Sequence, residues 1–233
     1  MPIGEGLSRS IRYRWLGTAS APLQAINIPF RYPGGLATET EVKIRISRPA
    51  AVRKRLRELG FDVRAPRVFE ANTIFDTPLQ DLRKRGELLR VRRAGRATLL
   101  TFKGLGKSGL YKSREEIETN VDDADAIEQI IARLGFVPTF RYEKYRTEFA
   151  RPGKSGIVTV DHTPIGDIME IEGPAKWIDR TARELGYSMA DYITKSYGVL
   201  YLEYCREHGM TPTNMVFPKR HRQTPEREKT KSP

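Results

Sequence analysis

Residues 38–46 read TETEVKIRI. Side chains of an extended strand alternate between two faces. Glu39, Glu41, Lys43 and Arg45 therefore fall on one, and Thr40, Val42, Ile44 and Ile46 on the other. A face with two carboxylates followed by two cations can hold a metal ion and a polyanion side by side. An ordinary surface strand with a solvated charged face has the same alternation. One strand does not choose between these readings, so the later segments have to.

The pattern recurs along the chain. In residues 89–93, Arg90 and Arg92 share a face opposite Leu89 and Val91. In 98–103, Lys103 lies with Thr101 and Leu99. Arg114, Glu116 and Glu118 align in 114–119, and Lys144, Arg146 and Glu148 in 140–149. Asp161 opposes Val158 and Val160 in 157–161, and Glu170 and Glu172 oppose Met169 and Ile171 in 168–172.

Helical segments alternate with these strands. Pro49 opens one with Val52, Leu56 and Leu59 on a single face and Gly60 as its stop. Asp122 or Asp123 caps a second, which turns Ile127, Ile130, Ile131 and Leu134 inward and stops at Gly135. A third spans about 174–186, and a last, about 190–206, offers Tyr197, Leu200, Tyr201 and Tyr204 for packing. The endings Leu59-Gly60-Phe61, Leu134-Gly135-Phe136 and Leu185-Gly186-Tyr187 share one grammar, as a repeated strand–helix unit would.

A chain of 233 residues with 39 % hydrophobic content holds one domain of ordinary size plus extensions. Its net charge of +12 implies an anionic partner. The excess is unevenly placed. Residues 1–37 carry +3 and residues 208–233 carry +4, leaving +5 for the middle. Residues 1–37 read as an irregular N-terminal extension, 38–205 as the folded domain and 206–233 as a basic, disordered tail. Contact of the basic tails with nucleic acid stays open. Cys205 is the only cysteine, which excludes an intrachain disulfide and a thiolate-built zinc site. No apolar run is long enough for a transmembrane helix, and no apolar leader core is visible. A cytoplasmic protein that does not engage membranes is the expectation.

Collected, the charged faces hold eight acids: Glu39, Glu41, Glu116, Glu118, Glu148, Asp161, Glu170 and Glu172. They also hold eight bases: Lys43, Arg45, Arg90, Arg92, Lys103, Arg114, Lys144 and Arg146. The helices need an apolar surface to cover, and the opposite faces of the strands supply it. The expected fold is α+β: an antiparallel β-barrel of about eight strands with helices outside and a polar tunnel within. Enclosed cations are costly unless anions fill the space. Eight bases suit a triphosphate, and carboxylates suit Mg²⁺ or Mn²⁺.

Glu39-Thr40-Glu41-Val42-Lys43 resembles the E-x-E-x-K signature of the CYTH superfamily, the triphosphate tunnel metalloenzymes. Further segments match in order: Phe75-Asp76-Thr77-Pro78, Leu89-Arg90-Val91-Arg92, Thr101-Phe102-Lys103-Gly104 and Arg114-Glu115-Glu116-Ile117-Glu118. Glu143-Lys144-Tyr145-Arg146, Thr159-Val160-Asp161-His162 and the run from Gly166 to Glu172 follow. The Arg114–Glu118 run, the Gly166–Glu172 run and Thr194-Lys195-Ser196-Tyr197 are most similar to the class IV adenylyl cyclase branch, which includes proteins resembling thiamine triphosphatases.

The resemblance implies a tunnel open at both ends that binds a triphosphate small molecule. It implies Glu39, Glu41 and Glu170 as leading metal ligands, with Glu116, Glu118, Asp161 and Glu172 as helpers. Phosphate falls to Lys43, Arg45, Arg90, Arg92, Lys103, Arg114, Lys144 and Arg146, and catalysis to Glu41, Lys43 and Lys103. Two chemistries fit one tunnel. In a cyclase the ATP ribose 3′-OH attacks the α-phosphorus and pyrophosphate leaves. In a triphosphatase, water attacks a terminal phosphorus of tripolyphosphate, thiamine triphosphate or a nucleoside triphosphate. A non-catalytic binder of polyphosphate or nucleic acid is the reading from another class. Homodimers occur in the family.

Several residues read more plainly. His162 points away from Asp161 and is structural. Ile168, where relatives carry an aromatic, alters packing and removes no ligand. Gly104, Gly106 and Gly109 fit no P-loop spacing and read as a mobile loop over the tunnel mouth. Arg83-Lys84-Arg85 is a solvated turn, Trp177 is core and Cys205 is inert.

Overall fold

The computed structural model describes residues 37–218. In chain order its strands are β1 (Ala37–Arg45), β2 (Asp62–Asp76), β3 (Leu88–Ala94), β4 (Ala97–Lys103) and the two-residue β5 (Lys107–Ser108). They continue with β6 (Lys112–Val121), β7 (Val137–Ala150), β8 (Ile157–Thr163) and β9 (Gly166–Glu172). The order β1-β9-β8-β7-β2-β3-β4-β6 closes on itself because β6 pairs back onto β1, with Glu39 opposite Arg114 and Glu41 opposite Lys112. All pairings are antiparallel, so the result is the expected closed barrel of eight strands, with β5 pairing only with β6.

Helices α1 (Pro49–Glu58), α2 (Asp81–Lys84), α3 (Ala124–Arg133), α4 (Ala175–Glu184) and α5 (Tyr197–Glu207) lie outside it. The period-two pattern explains why. Val42, Ile44, Val158, Val160, Met169 and Ile171 point away from the barrel axis and bury against Val52 and Leu56 of α1 and Trp177, Ile178 and Ala182 of α4. Each such fully buried side chain is worth about 1.5–3 kcal/mol. The apolar core therefore lies between sheet and helices, and the polar faces turn inward.

The shared helix endings are real stops. Gly60, Gly135 and Gly186 have φ of 78°, 92° and 86°. After each, the aromatic N–H reaches back to the helix: Phe61 to the Leu56 carbonyl (3.0 Å), Phe136 to Ile131 (3.2 Å) and Tyr187 to Ala182 (2.9 Å). This is the Schellman closure, with the ring brought onto its own helix.

Three expectations need correction. Ile130 and Leu134 do not turn inward; they are 54 % and 70 % exposed. α3 meets the barrel along a single stripe, Ile127 and Ile131, packed on Phe75, Val91 and their neighbours. The last helix does not begin at 190. A 3₁₀ turn at Met189–Asp191 ends in extended chain, and α5 starts only after Ser196, whose hydroxyl accepts the Val199 N–H. Ile193 exchanges both backbone hydrogen bonds with Lys43 (2.8 and 2.9 Å), so the chain there serves the sheet and cannot be helical. The expected disordered tail from 206 also differs as far as residue 218. Met215 pairs with Arg141 and Glu143 of β7 through its backbone and is fully buried, and Phe217 stacks on His162. The remaining tail, 219–233, and residues 1–36 lie outside the described residues. Among those described, no helix is long and apolar enough to cross a membrane.

Candidate active site

The inward faces form two distinct ends. At one, the ends of β7, β8 and β9 meet α5. Asp161 is fully buried and accepts hydrogen bonds from Lys144 Nζ (2.9 Å), Arg146 Nε and Nη2 (2.8 and 2.6 Å) and the Tyr197 hydroxyl (2.6 Å). Arg146 also donates to Glu170 at 2.5 Å. Tyr197 stacks on Tyr142 with centroids 5.8 Å apart, and Lys43 and Lys144 sit over its ring at 5.5 and 4.9 Å. The Tyr142 hydroxyl accepts from Arg90 at 3.2 Å. These rings join Ile165, Ile168, Leu200 and Tyr201 in one buried cluster. The expectation of a tunnel open at both ends is therefore corrected: α5 caps this end, because the inward positions there are aromatic and aliphatic.

In the middle, Glu41 lies between Lys43 Nζ (2.9 Å) and Lys112 Nζ (3.3 Å). Burial opposes its charge, yet these lysines hold it well below the usual carboxylate range. Lys43 also faces Glu170 at 3.6 Å. Burial likewise opposes charge at Glu70, and Arg92 and Lys144 bring it down to about 2.

The other end has the opposite balance. Lys103 Nζ contacts Glu39 (2.5 Å) and Glu116 (3.1 Å), and Arg90 approaches Glu116 and Glu118 at 3.8 and 3.4 Å. Arg114 lies 3.9 Å from Glu39. Glu172 has no ion-pair partner among the described residues. Burial, then the neighbouring Glu39 and Glu116 carboxylates, push it up to about 7. Burial also raises Glu39 despite Lys103. This carboxylate-rich oxygen donor set is short of positive charge, which is the chemistry a hard divalent cation fits. Lys103 stands between Glu39 and Glu116, and among the described residues no three acidic, histidine or cysteine side chains converge on one point as they stand.

Of the residues singled out from the sequence, Glu39, Glu41, Lys43, Arg90, Arg92, Lys103, Arg114, Glu116, Glu118, Lys144, Arg146, Asp161, Glu170 and Glu172 all line this interior. Arg45 shares their parity but is exposed at the strand end, its guanidinium on the Ile165 carbonyl at 3.4 Å. Asp161 has both oxygens taken by basic groups and a phenol, so it orients bases. Sequence reading missed Glu70, Asn72, Lys112, Tyr142 and Tyr197. Lys112 keeps step with Arg114 and was legible by parity. Residues 68–74 read VFEANTI, which lacks clean alternation and hid Glu70 and Asn72. Tyr197 arrives from a helix, where strand parity says nothing.

A CYTH domain profile matches residues 37–197. A Methanocaldococcus jannaschii protein, named as a candidate adenylate cyclase, is 29 % identical over 169 residues, covering 68 % of this chain and 95 % of that protein. A Vibrio parahaemolyticus structure described in the same terms has a TM-score of 0.62 at 19 % identity, over 70 % of this chain and 96 % of that one. A Hippeastrum protein, described as a candidate adenylyl cyclase with a dominant triphosphatase activity, has a TM-score of 0.53 at 18 % identity, over 75 % and 97 %.

Proposed function

The chain belongs to the CYTH family, and we propose that it is a divalent-metal-dependent enzyme that attacks a triphosphate at the phosphorus nearest the open end of its barrel. One observation carries this reading: a blind, base-lined end faces a carboxylate-rich mouth. Lys43, Arg90, Lys144 and Arg146 grip the inner two phosphates, and the Tyr142–Tyr197 floor limits any organic substituent to the mouth. With ATP, the α-phosphorus then lies at the mouth, its ribose 3′-OH attacks, and pyrophosphate is the leaving group. That is the reaction of a class IV adenylyl cyclase, and the name of the Methanocaldococcus relative supports it.

A cation held by Glu39, Glu116 and Glu172 would neutralise charge on the attacked phosphoryl group. Glu41 and Glu170, each already beside a cation, are the further ligands in this reading, with Glu118 as a helper. Lys103 and Arg114 balance charge at the mouth, and Arg92 lines its wall. Lys112 and Lys43 fix Glu41 in place.

A second reading is hydrolysis of tripolyphosphate, thiamine triphosphate or a nucleoside triphosphate. The Hippeastrum neighbour's described triphosphatase activity favours it. Incubating the protein with Mn²⁺ and ATP, and resolving cyclic AMP plus pyrophosphate from ADP plus phosphate, separates the two. Absence of turnover of ATP, thiamine triphosphate and tripolyphosphate with both Mg²⁺ and Mn²⁺ would overturn the enzyme reading. Glu41→Gln should abolish turnover with the fold intact, and Arg90→Ala should mainly raise KM.

A further inference from the structure

The barrel closes where β6 pairs with β1, and that seam is short. β6 begins at Lys112, opposite Glu41, so it leaves the β1 edge at Lys43 without a strand. Ile193 fills the gap, trading both backbone hydrogen bonds with Lys43. Two chain segments of distant origin thus meet end to end along one edge of β1. Each carries or holds one of the two lysines on Glu41.

Both segments are tied to one carboxylate outside the barrel. Asp179 of α4 accepts the Tyr111 hydroxyl on both oxygens, at 2.9 and 2.8 Å, and the Tyr192 hydroxyl at 3.0 Å. The rings lie 6.3 Å apart and pack against the core under α1 and α4. Tyr111 directly precedes Lys112, and Tyr192 directly precedes Ile193. Adjacent residues of an extended chain face opposite ways, so fixing the phenol outside fixes the neighbouring position on the inner or paired side.

Asp179 is not needed to seat its own helix. Trp177, Ile178, Thr181 and Ala182 bury that face of α4. Hydrogen bonds to a charged acceptor are the stronger class. From this geometry we propose that Asp179 is a positioning residue. It clasps Tyr111 and Tyr192 so that Lys112 and Lys43 both reach the same Glu41 oxygen, Oε1. This rests on the proposed function for its catalytic consequence, though not for the clasp itself.

The test compares Asp179→Ala, the double variant Tyr111→Phe/Tyr192→Phe and the conservative Asp179→Glu, using full-length protein. Hydrogen exchange by mass spectrometry reads the clasp without substrate. The Ala and double-Phe variants should exchange faster in peptides covering 110–114, 40–44 and 191–195, with α4 peptides unchanged. Steady-state turnover of ATP or tripolyphosphate with Mn²⁺ should fall in kcat about tenfold, as expected for loosened positioning. KM should change less, and Asp179→Glu should recover part of the loss. Unchanged exchange in these peptides would overturn the clasp. Faster exchange with unaltered kcat would overturn the positioning role. If the unaltered protein turns over no triphosphate, the functional reading and the catalytic role fall together, and the exchange data still decide whether the clasp exists.

Discussion

At the blind end of the barrel Asp161 is completely buried, yet lysine, arginine and tyrosine occupy both its oxygens. At the open end Glu172 is partly buried among other carboxylates and has no ion-pair partner among the described residues; Lys103 offsets only part of their effect. The difference teaches that one interior holds two electrostatic regimes. The blind end is a finished network in which buried bases and carboxylates already neutralise one another. The open end is unfinished electrostatically, and what would complete it is positive charge.

The largest expected effect breaks the finished end. Asp161→Ala leaves Lys144 and Arg146 buried without their shared partner, and should cost about 3–5 kcal/mol in denaturant unfolding. A loss below about 1 kcal/mol would show that the blind end is not a stabilised network.

Next comes the pH dependence of the metal-free protein. Glu172 titrates near 7 when folded and near 4.5 when unfolded. Between these values the folded state holds a proton that the unfolded state has released. Stability should therefore fall as pH rises through this window, by about 3 kcal/mol at most. Glu172→Gln should flatten that fall, and Mn²⁺ should offset it. Glu70 has the opposite sign: its folded value of about 2 makes its stabilisation present above 4.5 and lost as pH falls toward 2. Equal pH profiles for Glu172→Gln and the unaltered protein would remove the contrast.

Tyr197→Phe sharpens the comparison on the helix side. It deletes the hydroxyl on Asp161 and keeps the ring stack, so about 1–2 kcal/mol should be lost. Glu58→Ala is the smallest case. Its pairs with Lys54 and Arg55 are solvent-exposed, and thermal unfolding should register no more than about 0.5 kcal/mol.

Much of the site was legible because a barrel strand has a period of two. Arg90 and Glu170 oppose Leu89, Val91, Met169 and Ile171, apolar neighbours that helices cover, and Glu39, Lys103, Glu116 and Lys144 keep the inward parity of their own strands, so parity placed them inside before any tertiary contact was known. Parity stops at strand ends. Arg45 follows the rule and still reaches solvent, because no sequence period marks where the wall ends. It also fails where both faces are mixed, as at Glu70 and Asn72, and where a side chain enters from a helix, as Tyr197 does.

The sequence alone determined the kind of interior this protein has: alternating charge against apolar residues, with three glycine-stopped helices to cover the apolar side. Only the tertiary structure decided how those charges pair. Whether a carboxylate meets a cation or another carboxylate depends on barrel register and on residues far apart in the chain. Lys144 finds Asp161 across adjacent strands, whereas Glu172 faces Glu39 and Glu116. Electrostatic energy depends on separations of a few ångströms, and those are set by closure of the barrel and by α5 across its end.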